Sequence, residues 1–306
     1  TFKALIRPSL GVKFQRRWST LLAATLPASP QAIRYRFQEQ IHQHRLQGEI
    51  LAPKTTGAGG AILYLHGGAY CIGSPYTCRS LTSHLAASAA MDVWVPDYRL
   101  APEHPYPAAL DDAYAAYQLL LSKGYRPQDI VVAGDSAGGG LALALALKLK
   151  QARQPQPAGL MLLSPLVDNR LSGDTLPSKA APDPMLRQSW LRSCIQHYEG
   201  RFPGSSLLDQ DLADLAPMLI QVGDEEILLA DATRLLQQVR QAGGQVNLEI
   251  YHQRWHDFQL ATALLRSAHT AIRALADFAR TRVGSIGAYS KPRSAMDTTS
   301  PSPTMK

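Results

Sequence analysis

The run Ile130-Val131-Val132-Ala133 leads into Gly134-Asp135-Ser136-Ala137-Gly138 and then into an Ala/Leu-rich stretch that continues to Gln151. No other part of the chain limits the fold so tightly. The first four residues suit a buried strand. The G-x-S-x-G pentapeptide suits a tight strand-to-helix turn, with small residues on either side to avoid clashes and the serine held in a strained conformation. Ser136 would then stand at a helix N-terminus, where free N–H groups and the dipole favour negative charge. Leu141–Leu149 alternates leucine and alanine with a strand-like period of two. Both residues are strong helix formers and no β-branched residue interrupts them, so the stretch predicts a helix buried on all sides.

Around this elbow, strands and helices alternate in the manner that implies a mostly parallel sheet. The expected strands are Ala61–Leu65, Asp92–Pro96, Ile130–Ala133, Gly159–Leu163, Met218–Val222 and Gln245–Tyr251, with helices at about 80–90, 107–122, 137–151, 231–242 and 258–282. Residues 1–47 read as helical, broken at Pro8, Pro27 and Pro30, and Gly48–Pro53 reads as a short strand. Five prolines between 165 and 212 mark an insertion over the sheet, with a helical piece near Met185–Tyr198. The Ser/Thr/Pro-rich stretch from Gly284 to Lys306 has no apolar period and is expected to be disordered.

Composition removes several classes of function. At 306 residues, 45% hydrophobic and 18% charged, the chain fits one large domain with a small accessory part. No apolar run approaches the ~20 residues of a membrane span, so no stable membrane insertion is expected. Arg16–Pro27 only faintly imitates a signal peptide, because Ser19, Thr20 and Thr25 break its short apolar part. Cys71, Cys78 and Cys194 lack metal-ligand spacing and read as reduced thiols of a cytoplasmic protein. No metal or cofactor is implied. Eight Lys/Arg against Glu39 and Glu49 put nearly all of the +7 net charge into residues 1–50. That segment reads as a solvated helix face, with contact to an anionic membrane or an acidic partner as the sharper alternative. Nothing beyond it suits nucleic acid.

A serine nucleophile needs a base and a site for the oxyanion it creates. His66-Gly67-Gly68-Ala69-Tyr70 directly follows the strand Ala61–Leu65, and its glycines let backbone N–H groups turn towards a ligand. The hole is therefore assigned to the N–H groups of Gly67, Gly68 and Ala137. The base belongs in a loop after the last strand, where Tyr251–Phe258 offers His252 and His256. His256 directly precedes the last helix and is the stronger candidate. His42, His44, His84 and His197 read as surface residues, and His269 as part of the final helix.

The pairing of His66–Tyr70 with Gly134–Gly138, together with Asp97-Tyr98-Arg99-Leu100-Ala101-Pro102-Glu103-His104-Pro105-Tyr106-Pro107-Ala108-Ala109, resembles the hormone-sensitive-lipase-like bacterial esterases. The resemblance covers about residues 15–282. It implies an α/β-hydrolase fold, mostly parallel in its sheet and covered by a helical cap. Its divisions are a cap segment at 1–50, catalytic parts at 51–169 and 213–282, a cap insertion at 170–212 and a tail at 283–306. It implies a carboxylesterase acting on small esters of short acyl chains, without cofactor, in a family whose members often form homodimers. Residues 97–112 are expected to brace the oxyanion loop.

Two departures from the family pattern stand out. Ala69 replaces a third glycine. The family's acid follows Val-Gly-x, which in Val222-Gly223-Asp224-Glu225-Glu226-Ile227 puts Glu225 in the place of an aspartate, with Asp224 as its rival. Other chemistry on the same residues would be amide or lactone hydrolysis. A ligand-binding module without catalysis would tend to lack the histidine.

Overall fold

The computed structural model describes residues 2–41, 43–55, 59–200 and 204–283. The expected disordered tail, His42 and part of the turn before Ala61 lie outside them. In chain order the elements are α1 (Phe2–Leu5), α2 (Val12–Ala23), β1 (Ala32–Ile41), β2 (His44–Pro53), β3 (Ala61–Leu65), α3 (Arg79–Ala89), β4 (Asp92–Pro96), α4 (Ala108–Ser122), β5 (Ile130–Asp135), α5 (Ala137–Gln151), β6 (Gly159–Leu163), α6 (Thr175–Ser178), α7 (Gln188–Glu199), β7 (Met218–Gly223), α8 (Leu229–Gln241), β8 (Val246–Tyr251) and α9 (Arg266–Val283). The strands form one sheet in the order β1-β2-β4-β3-β5-β6-β7-β8. From β4 to β8 every pairing is parallel, and β1–β2 and β2–β4 are antiparallel.

Every residue of β3 to β7 is buried, as strands covered by helices on both faces require. Ile62, Val93, Val131 and Met161 pack under α3 and α9, and Leu63, Trp94, Val132 and Leu162 under α4, α5 and their neighbours. At full burial each such side chain contributes about 1.5–3 kcal/mol to folding. α5 is the all-round buried helix expected from its composition, with Leu141, Leu143, Leu145 and Leu149 fully enclosed.

The N-terminal segment departs from its expected helical form. β1 and β2 pair antiparallel along their whole lengths and add two strands to the sheet edge. Tyr35, Phe37 and Ile41 lie on the face turned to the core, with Glu39 between the last two, while Arg36, Gln38 and Gln40 are exposed. Phe37 packs on Trp94 with ring centroids 5.3 Å apart. Only glycine fits at position 48, where a Cβ would stand 2.2 Å from the Val95 carbonyl oxygen and 2.7 Å from the Phe37 ring. Genuine helix is confined to α1 and α2. The expected final helix is also divided, into a short turn at Phe258–Ala261 and α9.

α1, α2 and the insertion carrying α6 and α7 meet above the C-terminal ends of the parallel strands. The Lys3 ammonium donates to the Asp183 carbonyl at 2.7 Å and also to that of Ala180, and the Arg187 Nε donates to the Lys3 carbonyl at 2.8 Å. The Trp190 indole N–H donates to Gln15 Oε1 at 2.6 Å. These are widely separated stretches of chain, joined by polar contacts of which the Trp190–Gln15 bond is fully buried.

Candidate active site

The turn after β5 places Ser136 at φ 53°, ψ −120°, directly before the first residue of α5. The bend is held from both sides: Ser136 N–H donates to the Leu163 carbonyl at 2.8 Å, and Leu166 N–H to the Ser136 carbonyl at 3.0 Å. A Cβ on Gly138 would stand 2.0 Å from the Leu65 carbonyl oxygen, which is why this position takes no side chain. Ser136 is 4% exposed and opens on a cavity of about 300 Å³. Leu22 and Leu26 line it from the N-terminal segment, Met185 and Trp190 from the insertion, and Trp255 and Leu260 from the loop after β8.

That loop brings His256 Nε2 to 2.9 Å from Ser136 Oγ. His252, by contrast, is 82% exposed and hydrogen-bonds Asp224 at 2.7 Å. The carboxylate opposite His256 Nδ1 is Glu226, at 3.5 Å, and neither atom has another partner. This corrects the sequence expectation by one residue. The Glu225 N–H is tied to the Arg254 carbonyl at 2.9 Å, and its side chain is half-buried; among the described residues the carboxylates paired with His256 are Glu226 and Asp257. Asp224 Oδ1 accepts the Gln253 N–H at 2.7 Å, so Asp224 braces the histidine loop from outside. Glu226 is completely buried; its Oε2 accepts from Ser164 Oγ at 2.8 Å and from Gly223 N–H at 3.1 Å, leaving Oε1 for the imidazole.

Burial would lower the His256 pKa, but the charges and hydrogen bonds of Asp257 and Glu226 outweigh it and raise the imidazole well above its usual value. Burial also raises the Glu226 carboxyl. Asp135, buried and facing the charge of Asp257, is pushed up to about 7. His66, enclosed and hydrogen-bonded to the Gly67 carbonyl at 2.9 Å, is lowered to about 4 by burial.

The glycine loop after β3 differs from expectation in one donor. The Gly67 N–H is hydrogen-bonded to the buried Asp135 carboxyl, which also accepts the Tyr64 hydroxyl at 2.8 Å. This directs the Gly67 N–H at Asp135, although Gly67 also borders the cavity. Gly68 at φ 122° and Ala69 at φ 51° turn the backbone so that both border the cavity. Among the described residues, the N–H groups of Gly68, Ala69 and Ala137 meet no acceptor. The stretch 97–112 does brace this loop. Tyr98 stacks on His66 at 4.1 Å and its hydroxyl donates to the His66 carbonyl at 2.6 Å, while Ala101 N–H donates to the Tyr70 carbonyl at 2.9 Å.

A hydroxyl, an imidazole and a carboxylate are thus aligned beside three unengaged backbone donors, the arrangement that acyl transfer needs. Among the described residues no group of His, Cys, Asp and Glu could hold a metal ion, and no helix is long and apolar enough to cross a membrane.

Comparison with known proteins agrees with this geometry. A family model described as the alpha/beta hydrolase fold matches residues 62–260. An esterase of Acinetobacter venetianus is 41% identical over 223 residues, covering 71% of this chain and 74% of the relative. An acetyl-hydrolase of Streptomyces hygroscopicus is 39% identical, covering 74% of this chain and 77% of the relative. A crystal structure of an esterase from the bacterial hormone-sensitive lipase family superposes with a TM-score of 0.86 at 33% identity, covering 92% of this chain and 96% of that one.

Proposed function

Because the chain belongs to the hormone-sensitive-lipase-like bacterial esterases of the α/β-hydrolase fold, and is on that ground a serine carboxylic ester hydrolase, we propose that it hydrolyses esters of short acyl chains through Ser136, His256 and Glu226. The observation that carries the assignment is the chain of contacts from Ser136 Oγ through Nε2 and Nδ1 to Glu226 Oε1, at 2.9 and 3.5 Å.

His256 takes the Ser136 proton as the oxygen attacks the ester carbonyl. The carbonyl oxygen becomes an oxyanion, which the Gly68, Ala69 and Ala137 N–H groups stabilise; each such donor is worth about 10²–10³ in rate. The imidazolium, balanced by Glu226, passes its proton to the departing alcohol. Water then enters, gives a proton to His256, and releases the acid from the acyl-serine. The helices α1 and α2 and the insertion act as the cap. The apolar cavity of about 300 Å³ beneath it supports an acyl group of a few carbons.

Rates on nitrophenyl esters of increasing acyl length test the reading. Activity should peak at short chains, and an organophosphate should add one mass to the wild type and none to Ser136→Ala. Labelling at another residue would refute the nucleophile, and faster hydrolysis of matched anilides would refute the substrate class.

A further inference from the structure

Asp257 is a buried carboxylate at the site to which the triad gives no task. It follows His256 in left-handed backbone, φ 54°, in the loop between β8 and the turn at Phe258–Ala261. Its Oδ2 lies 3.0 Å from His256 Nε2, the nitrogen that also faces Ser136 Oγ at 2.9 Å. Its Oδ1 is enclosed without a partner, and the residue, 7% exposed, lines the cavity. A carboxylate enclosed in this way costs free energy unless a donor meets it. The donor it now has is the imidazole that the serine requires.

The chemistry of Nε2 decides which part of a substrate meets Asp257. In acylation this nitrogen hands its proton to the departing alcohol oxygen, so the alcohol half must lie within reach of Nε2 and therefore against Asp257 Oδ2. A plain alkyl alcohol would press methylene groups on the carboxylate and leave it bound to His256. An alcohol with a second hydroxyl on the neighbouring carbon would donate to Oδ2. Its two oxygens, in a gauche arrangement, stand about one hydrogen-bond length apart, comparable to the 3.0 Å between Nε2 and Oδ2. That donation leaves Nε2 to Ser136.

We propose that Asp257 is a specificity residue that selects esters of vicinal polyols, whose free hydroxyl it binds beside the scissile bond. The proposal rests on the reading of Ser136 and His256 given above.

The test compares kcat/KM for 2-hydroxyethyl acetate and propyl acetate, which differ by a hydroxyl in place of a methyl group. Acid release is followed in a pH-stat, and each value is divided by the rate of the same ester with hydroxide. The wild type should favour the hydroxy ester by about tenfold or more, as expected for a hydrogen bond to a charged acceptor. Asp257→Leu should bring the ratio to about one, and Asp257→Asn, whose amide oxygen still accepts, to an intermediate value. Each ratio is taken within one protein, so loss of folded enzyme cancels. Should the leucine variant not fold, the asparagine variant decides, and it must lose at least half of the preference. A wild-type ratio near one, or a preference that survives both substitutions, overturns the proposal. With p-nitrophenyl acetate still turned over, either result leaves the esterase reading intact. A wild type inactive on every ester, with Ser136 unlabelled by organophosphate, overturns both.

Discussion

Glu226→Gln should reduce kcat by about 10³–10⁴, and the reason lies in who donates to whom. Glu226 Oε2 accepts from the Gly223 N–H, which is a donor under all conditions. In the amide variant the carbonyl oxygen must stay on that side, because an NH₂ there would face an N–H. The NH₂ then points at His256 Nδ1 and turns it into an acceptor. That puts the ring proton on Nε2, where it cannot receive the proton of Ser136. The charge is lost as well. Across 3.5 Å between two groups of 2% and 0% exposure, a carboxylate stabilises an imidazolium by about 5 kcal/mol at an effective dielectric constant of about 20. At about 1.4 kcal/mol per decade this is three to four decades of rate, in line with the ~10⁴ that the same change costs in the best-studied serine protease. Steady-state kinetics on p-nitrophenyl butyrate, with folding checked by circular dichroism, would measure it. Glu225→Gln should stay within about twofold, and Asp224→Asn within about tenfold, since it acts only by holding the loop. Loss of three decades in Glu225→Gln, or less than one in Glu226→Gln, would refute the assignment of the acid.

Ser136→Ala should abolish turnover and leave the thermal midpoint within a few degrees of the wild type, by calorimetry against ester assays; residual activity above about 10⁻³ would point to another nucleophile. The acid limb of kcat/KM should lie above the usual histidine value of about 6.5. His256 must be neutral to act, and Asp257 and Glu226 favour its charged form; Glu226→Gln should therefore move the limb to lower pH, which a pH–rate profile of the residual activity would show. Gly138→Ala should yield little folded protein, because its Cβ would enter the Leu65 carbonyl oxygen at 2.0 Å; a soluble and active variant would contradict the close approach. Deleting residues 1–23 should preserve the sheet by far-ultraviolet circular dichroism and change the acyl-length preference; unchanged kinetics at every length would exclude α2 from the cap.

The parts of this structure legible in the sequence are those where one physical demand acts alone. β3, β4 and β6 match their expected bounds because strands buried on both faces leave continuous apolar runs between turn residues. The elbow is legible because only glycine fits two residues to either side of Ser136, where a Cβ would meet backbone oxygens at 2.3 and 2.0 Å. The pair β1–β2 was hidden because its arginines and glutamines dilute the period of two, and because a sheet edge needs only a few residues, Phe37 and Leu46 among them, to be buried. Glu226 was hidden by its neighbours. Three successive carboxylates make residue type uninformative, and register counted from Val222-Gly223 is ambiguous by one. The signal that could have found it is the apolar Ile227-Leu228 directly after Glu226, since the carboxylate nearest a buried run is the one carried inward. Asp257 was not legible, for its direction depends on a left-handed backbone that aspartate tolerates better than most residues but that the sequence does not assign to this aspartate rather than another.

The Glu226 loop and the insertion are mechanically one unit. Asp183, buried in the insertion, accepts the N–H groups of Met185 and Leu186 through Oδ1 at 2.8 and 3.0 Å, and that of Ile227 through Oδ2 at 3.1 Å. Ile227 follows Glu226 directly. The same carboxylate that shapes the insertion therefore also fixes the loop that presents Glu226 to His256. Trp190, which lines the cavity, is anchored to Gln15 of α2. A change in the insertion that relieves one contact must strain the other, because interiors packed at this density shift as units rather than atom by atom. Substitutions at Met185 or Leu186 made to enlarge the cavity should for this reason lower kcat as well as alter chain-length preference. The loss should be greater than for equal changes at Leu22 or Leu26, which line the same cavity from a segment without a bond to the Glu226 loop.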